Sequence, residues 1–157
     1  MKTAAANYGN RELWALLSQA SIALSRVADN ELSKTGISLM PAAVLFFVKN
    51  AKAPATPAEI SRWLFREPNT VSQLLTRMEK QGLIRKAKDL KRKNMVRIAL
   101  TEKGEEAYQK QTEMRVISKI LSSISPKERD KLGSYLKKLR DEAIIELDRR
   151  SRQLPYP

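Results

Sequence analysis

Apolar side chains between residues 7 and 33 fall at Leu13, Leu17, Ala20, Leu24 and Val27, steps of four and three that trace one stripe of a long helix. Gly36 interrupts that pattern, and Ser38 is placed to cap a second helix reaching Lys49, with Pro41 tolerated in its first turn and Leu45 and Val48 turned inward. Thr56, Pro57, Ala58 and Glu59 read as a capping box, in which hydroxyl and carboxylate each accept from the other residue's backbone amide. It opens a short third helix that turns Ile60, Trp63 and Leu64 inward and runs out near Phe65. Pro68 then starts a fourth helix through Gln81, whose Val71, Leu74, Leu75 and Met78 share one face, and Gly82 stops it.

Past Gly82 the period falls to two. Leu83 and Ile84 lead into a strand, and in Met95–Leu100 the residues Val96, Ile98 and Leu100 alternate with Met95, Arg97 and Ala99, which predicts a hairpin closed around Asp89 to Asn94. Thr101 is placed to cap a fifth helix reaching about Ser123, although Gly104 weakens its first turns by roughly 1 kcal/mol relative to alanine. Ser125 and Glu128 repeat the capping box and open a last helix with the stripe Leu132, Leu136, Leu139, Ala143 and Leu147, followed by a frayed tail from Ser151. The expected fold is mainly α with a small β-hairpin: a winged helix-turn-helix lobe over 38–101, inside a single domain of 1–157, with long N- and C-terminal dimerisation helices over 7–34 and 102–149. Packing within one subunit explains the terminal stripes as well as pairing does. A homodimer is expected because these helices exceed what a small lobe needs to cover its apolar faces.

Composition narrows the chemistry. Thirty Lys and Arg against seventeen Asp and Glu give a formal charge of +13, which calls for a polyanionic partner, nucleic acid first. The chain has neither cysteine nor histidine, which excludes disulfides, thiolate metal sites and thiol sensors and removes most catalytic dyads; Glu59 has a capping role and Glu105 and Glu106 sit on a solvent face. The expectation is no enzyme, no metal and no cofactor. Met1–Asn10 holds no signal-like apolar run, and the most apolar stretch, Ala42–Val48, is far short of the ~20 residues of a membrane span, so a cytoplasmic protein with no membrane partner is expected.

On the fourth helix Asn69, Ser72, Gln73, Thr76, Arg77 and Lys80 lie opposite or beside the apolar face, with Glu79 the one acid near its edge. Arg forks onto guanine, Asn and Gln onto adenine, and Ser or Thr bond bases or phosphates, so this face suits base reading in a major groove. The hairpin adds Arg85, Lys86, Lys88, Lys91, Arg92, Lys93 and Arg97 with Asp89 as its only acid, a density suited to phosphates or a minor groove.

From Thr70-Val71-Ser72 through Leu74 and Arg77-Met78-Glu79-Lys80 to Gly82-Leu83-Ile84-Arg85, and again at Leu100-Thr101-Glu102-Lys103-Gly104, the sequence resembles the MarR family of transcriptional regulators over almost its whole length. The resemblance implies a dimer built by the terminal helices and double-stranded DNA as partner, at a pseudo-palindromic operator with half-sites about 34 Å apart. It also implies repression, relieved in many members by a small-molecule effector. It carries recognition positions onto Asn69, Thr70, Ser72, Gln73, Thr76 and Arg77, and the wing arginine onto the neighbourhood of Arg92 to Asn94, with Lys91, Arg92 and Lys93 as candidates for minor-groove entry. The chain departs from the family at the wing, where Arg92 stands at the later of two acidic positions. An effector pocket between dimer helices and lobe falls near Trp14, Met40, Pro41, Val44 and Trp63, residues that ordinary core packing also explains. Two rivals share the same residues: a nonspecific architectural DNA binder, and a helical protein-interaction module whose basic hairpin meets acidic proteins or headgroups.

Overall fold

The computed structural model describes residues 8–88, 95–112 and 114–147. In chain order the elements are α1 (Asn10–Ser33), α2 (Leu39–Asn50), α3 (Pro57–Leu64), α4 (Pro68–Lys80), β1 (Ile84–Lys88), β2 (Val96–Leu100), α5 (Glu102–Thr112), α6 (Arg115–Leu121) and α7 (Pro126–Leu147). The architecture is mainly α with a two-stranded antiparallel sheet, paired in register from Ile84 opposite Leu100 to Lys88 opposite Val96. The Ile98 amide also donates to the Ala55 carbonyl at 2.8 Å, so the hairpin is stitched to the segment that enters α3.

The core lies where α2, α3, α4, α5 and the hairpin meet. Val44, Leu45, Ile60, Val71, Leu75, Met78 and Ile84 are its fully buried side chains, and all four apolar positions expected of α4 are buried. Burial of this kind, at roughly 1.5–3 kcal/mol per large side chain, fixes the orientation of α4 and hence of its opposite face.

Local capping accounts for several boundaries. Thr56 N donates to Glu59 Oε2 at 2.8 Å and Glu59 N to Thr56 Oγ1 at 3.3 Å, and the pair Ser125 and Glu128 does the same at 2.8 and 3.4 Å. Hydrogen bonds from the Ser125 hydroxyl and then its backbone amide hold the Glu128 carboxyl below its ordinary pKa. Other boundaries are set from a distance. Ser38 precedes α2 without a side-chain cap, contrary to expectation; the α2 amide of Leu39 instead donates to Asp29 Oδ1 on α1 at 3.0 Å. The single helix expected from Thr101 to Ser123 is two helices, α5 and α6. The second begins where the Val116 amide meets the Glu31 carboxylate of α1 at 3.1 and 3.3 Å, an N-terminus supplied by another helix.

The terminal stripes do not form an intramolecular core. On α1 only Ala28 and Leu32 are buried, Leu13 and Leu17 are exposed, and α7 buries no residue at all. None of the described helices is long and apolar enough to cross a membrane.

Candidate nucleic-acid interface

Helix α3 ends with Phe65 in a left-handed conformation, and three residues later Pro68 opens α4. The turn is held by the Ser61 hydroxyl, which donates to the Arg66 carbonyl at 2.6 Å, while the Arg66 amide returns to the Ser61 carbonyl at 3.1 Å. Because the α4 underside is locked into the core, Asn69, Thr70, Ser72, Gln73, Thr76, Arg77 and Lys80 are all turned to solvent. The Thr76 hydroxyl is engaged, donating to the Ser72 carbonyl at 2.9 Å and accepting from Lys86 Nζ at 3.3 Å. The side chains of Asn69, Ser72, Gln73 and Arg77 have no hydrogen-bond or ion-pair partner among the described residues.

Glu79 has a role that its position in the sequence does not disclose. Its carboxylate accepts from the Lys86 backbone amide at 3.2 Å and pairs with Lys86 Nζ at 3.1 Å, clamping α4 to β1. The one acid on the polar helix therefore orients the wing. A lone carboxylate amid cations, seven residues ahead of a lysine on the next strand, was the available signal. Lys88 is exposed at the end of β1, so the cationic strand leaves the body beside α4. Lys91, Arg92, Lys93 and Asn94 lie outside the described residues.

Of the five residues expected near an effector pocket, Trp14 stands apart from the other four. Val44 is fully buried in the core, Met40 packs against that core, Pro41 is half-buried in the first turn of α2, and Trp63 stacks on Phe46 and meets Phe47 at a tilt, with ring centroids 6.2 and 5.2 Å away. Trp14 is 72% exposed, roughly 20 Å along α1 from the first buried residue, Ala28. A group that the sequence did not single out bonds to α2 from a neighbouring helix. Gln111 of α5 is 6% exposed, donates from Nε2 to the Ala42 carbonyl at 3.2 Å, and has no hydrogen-bond partner for Oε1 among the described residues.

Two helices joined by a tight turn, the second with an open polar face, followed by a hairpin packed on the same core, define a winged helix-turn-helix protein. The model of the MarR family matches residues 35–98. The organohalide-sensing transcriptional regulator RdhR-CbdbA1625, in its ligand-free form, is similar to this chain over 100% of its length and 99% of that chain, with 30% identity and a TM-score of 0.76. Its 2,4-dichlorophenol-bound form matches over the same shares at 29% identity and the same TM-score. The chain belongs to the MarR family of DNA-binding transcriptional regulators. Its fold is shared by MepR of S. aureus in a complex with DNA, at 23% identity, TM-score 0.67 and coverage of 87% of this chain and 99% of that one. AbsC, a MarR family regulator from Streptomyces coelicolor, is similar at 16% identity, TM-score 0.75, 87% and 96% coverage. No curated protein matches the sequence significantly.

Proposed function

We propose that the protein is a sequence-specific transcriptional repressor that binds a pseudo-palindromic operator as a homodimer. In this reading residues 38–101 form the DNA-binding lobe, with α4 in the major groove and the wing, residues 85–97, on the backbone or in the minor groove. The helices of 7–34 and 102–149 supply the dimer contact. The observation that carries it is the state of α4: a helix clamped by core and by Glu79, presenting Asn69, Gln73 and Arg77 with no partner of their own among the described residues. These are the side chains whose donor and acceptor patterns match adenine and guanine edges. The charge of +13 supplies attraction to the phosphate backbone, and the base-matching side chains of α4 are what a module meeting acidic proteins would not need.

The effector side of the reading rests on Gln111. A buried acceptor without a partner costs on the order of 1–3 kcal/mol, and a small ligand offering a hydroxyl donor between α5 and the start of α2 would satisfy it. RdhR-CbdbA1625 in its 2,4-dichlorophenol-bound form makes a phenolic molecule the first to try on this chain.

The test is selection of bound duplexes from genomic fragments, followed by competition binding. Arg77→Ala is expected to cost about 1–3 kcal/mol on the selected operator and little on random DNA, whereas Lys88→Ala should weaken both alike. Equal losses for Arg77→Ala on operator and random duplexes would leave a nonspecific architectural binder, and no duplex binding by the parent would leave the protein-interaction module.

A further inference from the structure

Helices α3 and α4 end in the same backbone arrangement with different residues at its critical position. After α4, the Gly82 amide donates to the Glu79 carbonyl at 2.9 Å and the Leu83 amide to the Met78 carbonyl at 2.9 Å, with Gly82 at φ +72. After α3, the Phe65 amide donates to the Arg62 carbonyl at 3.2 Å and the Arg66 amide to the Ser61 carbonyl at 3.1 Å, with Phe65 at φ 52 and ψ 43. This left-handed cap strongly favours glycine, because a Cβ crowds the following carbonyl. Among the described residues Phe65 is the only non-glycine at positive φ.

The ring does not offset that strain by packing. Phe65 is 54% exposed, whereas Trp63 and Leu64 just before it pack against the core. The chain thus keeps a disfavoured backbone in order to hold a large apolar side chain in water, and does so in the turn of the helix-turn-helix, four residues ahead of Asn69. The turn is rigid, through the Ser61 and Arg66 hydrogen bonds, and the exposed cations Arg62 and Arg66 flank it. Strained, exposed and rigidly presented is the profile of a residue kept for contact.

We propose that Phe65 is a DNA-contact residue, whose ring lies against apolar C–H surface at the rim of the groove entered by α4, either a thymine 5-methyl or deoxyribose carbons. The inference rests on the reading of α4 as the recognition helix. It assigns the exposed aromatic at the HTH turn a part of the affinity that carries no charge.

The experiment compares parent, Phe65→Gly, Phe65→Leu and Arg77→Ala on the selected operator, with thermal unfolding of each full-length variant. Phe65→Gly is expected to melt higher by about 2–4 °C as the strain is released, yet to bind about tenfold more weakly, the scale of burying the exposed part of one phenylalanine side chain. Its dependence on salt should stay that of the parent, since no phosphate contact is lost. Phe65→Leu, which keeps strain and apolar bulk, should bind nearly as well as the parent. An operator carrying uracil for thymine locates the contact: if the gap between parent and Phe65→Gly closes there, the methyl is the partner, and if it persists, the sugar is. Unchanged affinity of Phe65→Gly overturns the proposal, as does a lower melting temperature, which would make the ring structural. Arg77→Ala separates the two ideas: if it alone weakens binding, only the Phe65 contact is wrong, and if neither variant matters, the reading of α4 has failed with it.

Discussion

Gly104 stands in the first turn of α5 with its backbone pressed on the start of the wing: a Cβ there would lie 2.0 Å from the Leu83 carbonyl oxygen. The same corner is tied by Thr101, whose hydroxyl donates to the Gly82 carbonyl and accepts from the Gly104 amide at 3.0 Å, and by Lys103 Nζ on the Gln81 carbonyl at 2.8 Å. The two separated stretches, Gly82-Leu83 and Thr101 to Gly104, are thus two halves of one joint that sets where β1 leaves α4. By helix propensity alone Gly104→Ala gains roughly 1 kcal/mol. The clash is with backbone that cannot swing aside, and a net loss of about 2–4 kcal/mol is expected, read as a lower urea midpoint. An alanine variant as stable as the parent would show that the approach is not enforced. Sequence reasoning registers this glycine only as a weak point of a helix, because its reason lies on another element.

The start of a helix can be written locally or lent by a neighbour, and this chain uses both. The boxes at Thr56 and Ser125 are legible because hydroxyl and carboxylate lie three residues apart on one turn. Asp29 and Glu31 are not, since each caps a helix ten or eighty-five residues further along, and no local pattern announces the meeting. For the same reason the sequence runs α5 and α6 together. The two carboxylates make α1 a strut that fixes α2, in the lobe, and α6, beside the apolar terminal faces. Asp29→Ala should therefore cost about 0.5–2 kcal/mol of unfolding free energy. Ser38→Ala, at the expected cap that makes no side-chain bond, should change stability by under about 0.5 kcal/mol. Chemical denaturation of the two variants decides it, and the opposite ranking would return the cap to Ser38.

Across the whole molecule the apolar residues separate into a closed core and an open surface. The apolar face of α4, Ile60 of α3 and Ile98 of the hairpin were legible because their periods match what they bury, whereas Val96, on the same alternation as Ile98, is exposed. The terminal stripes were equally periodic, yet Leu13, Leu17, Leu132, Leu136, Leu139 and Leu147 remain between 41% and 76% exposed, so periodicity reported an apolar face without saying what covers it. A patch of this extent on α1, α6 and α7 is the surface that the proposed homodimer would cover, and in that reading the two-fold axis would offer a second α4 to the operator's other half-site. Linking two half-site contacts multiplies operator affinity by about 10²–10⁴ over one lobe without a new contact to DNA. The double variant Leu136→Glu with Leu139→Glu puts four repelling charges into the paired interface while leaving the lobe's core untouched. It should sediment as a monomer, keep the helical circular dichroism of the parent, and bind the operator weaker by a factor within that range, with the affinity for a single half-site preserved. A variant that stays dimeric at micromolar concentration would place the contact elsewhere. One that becomes monomeric yet holds the full operator as tightly as the parent would mean that a single lobe supplies the whole affinity.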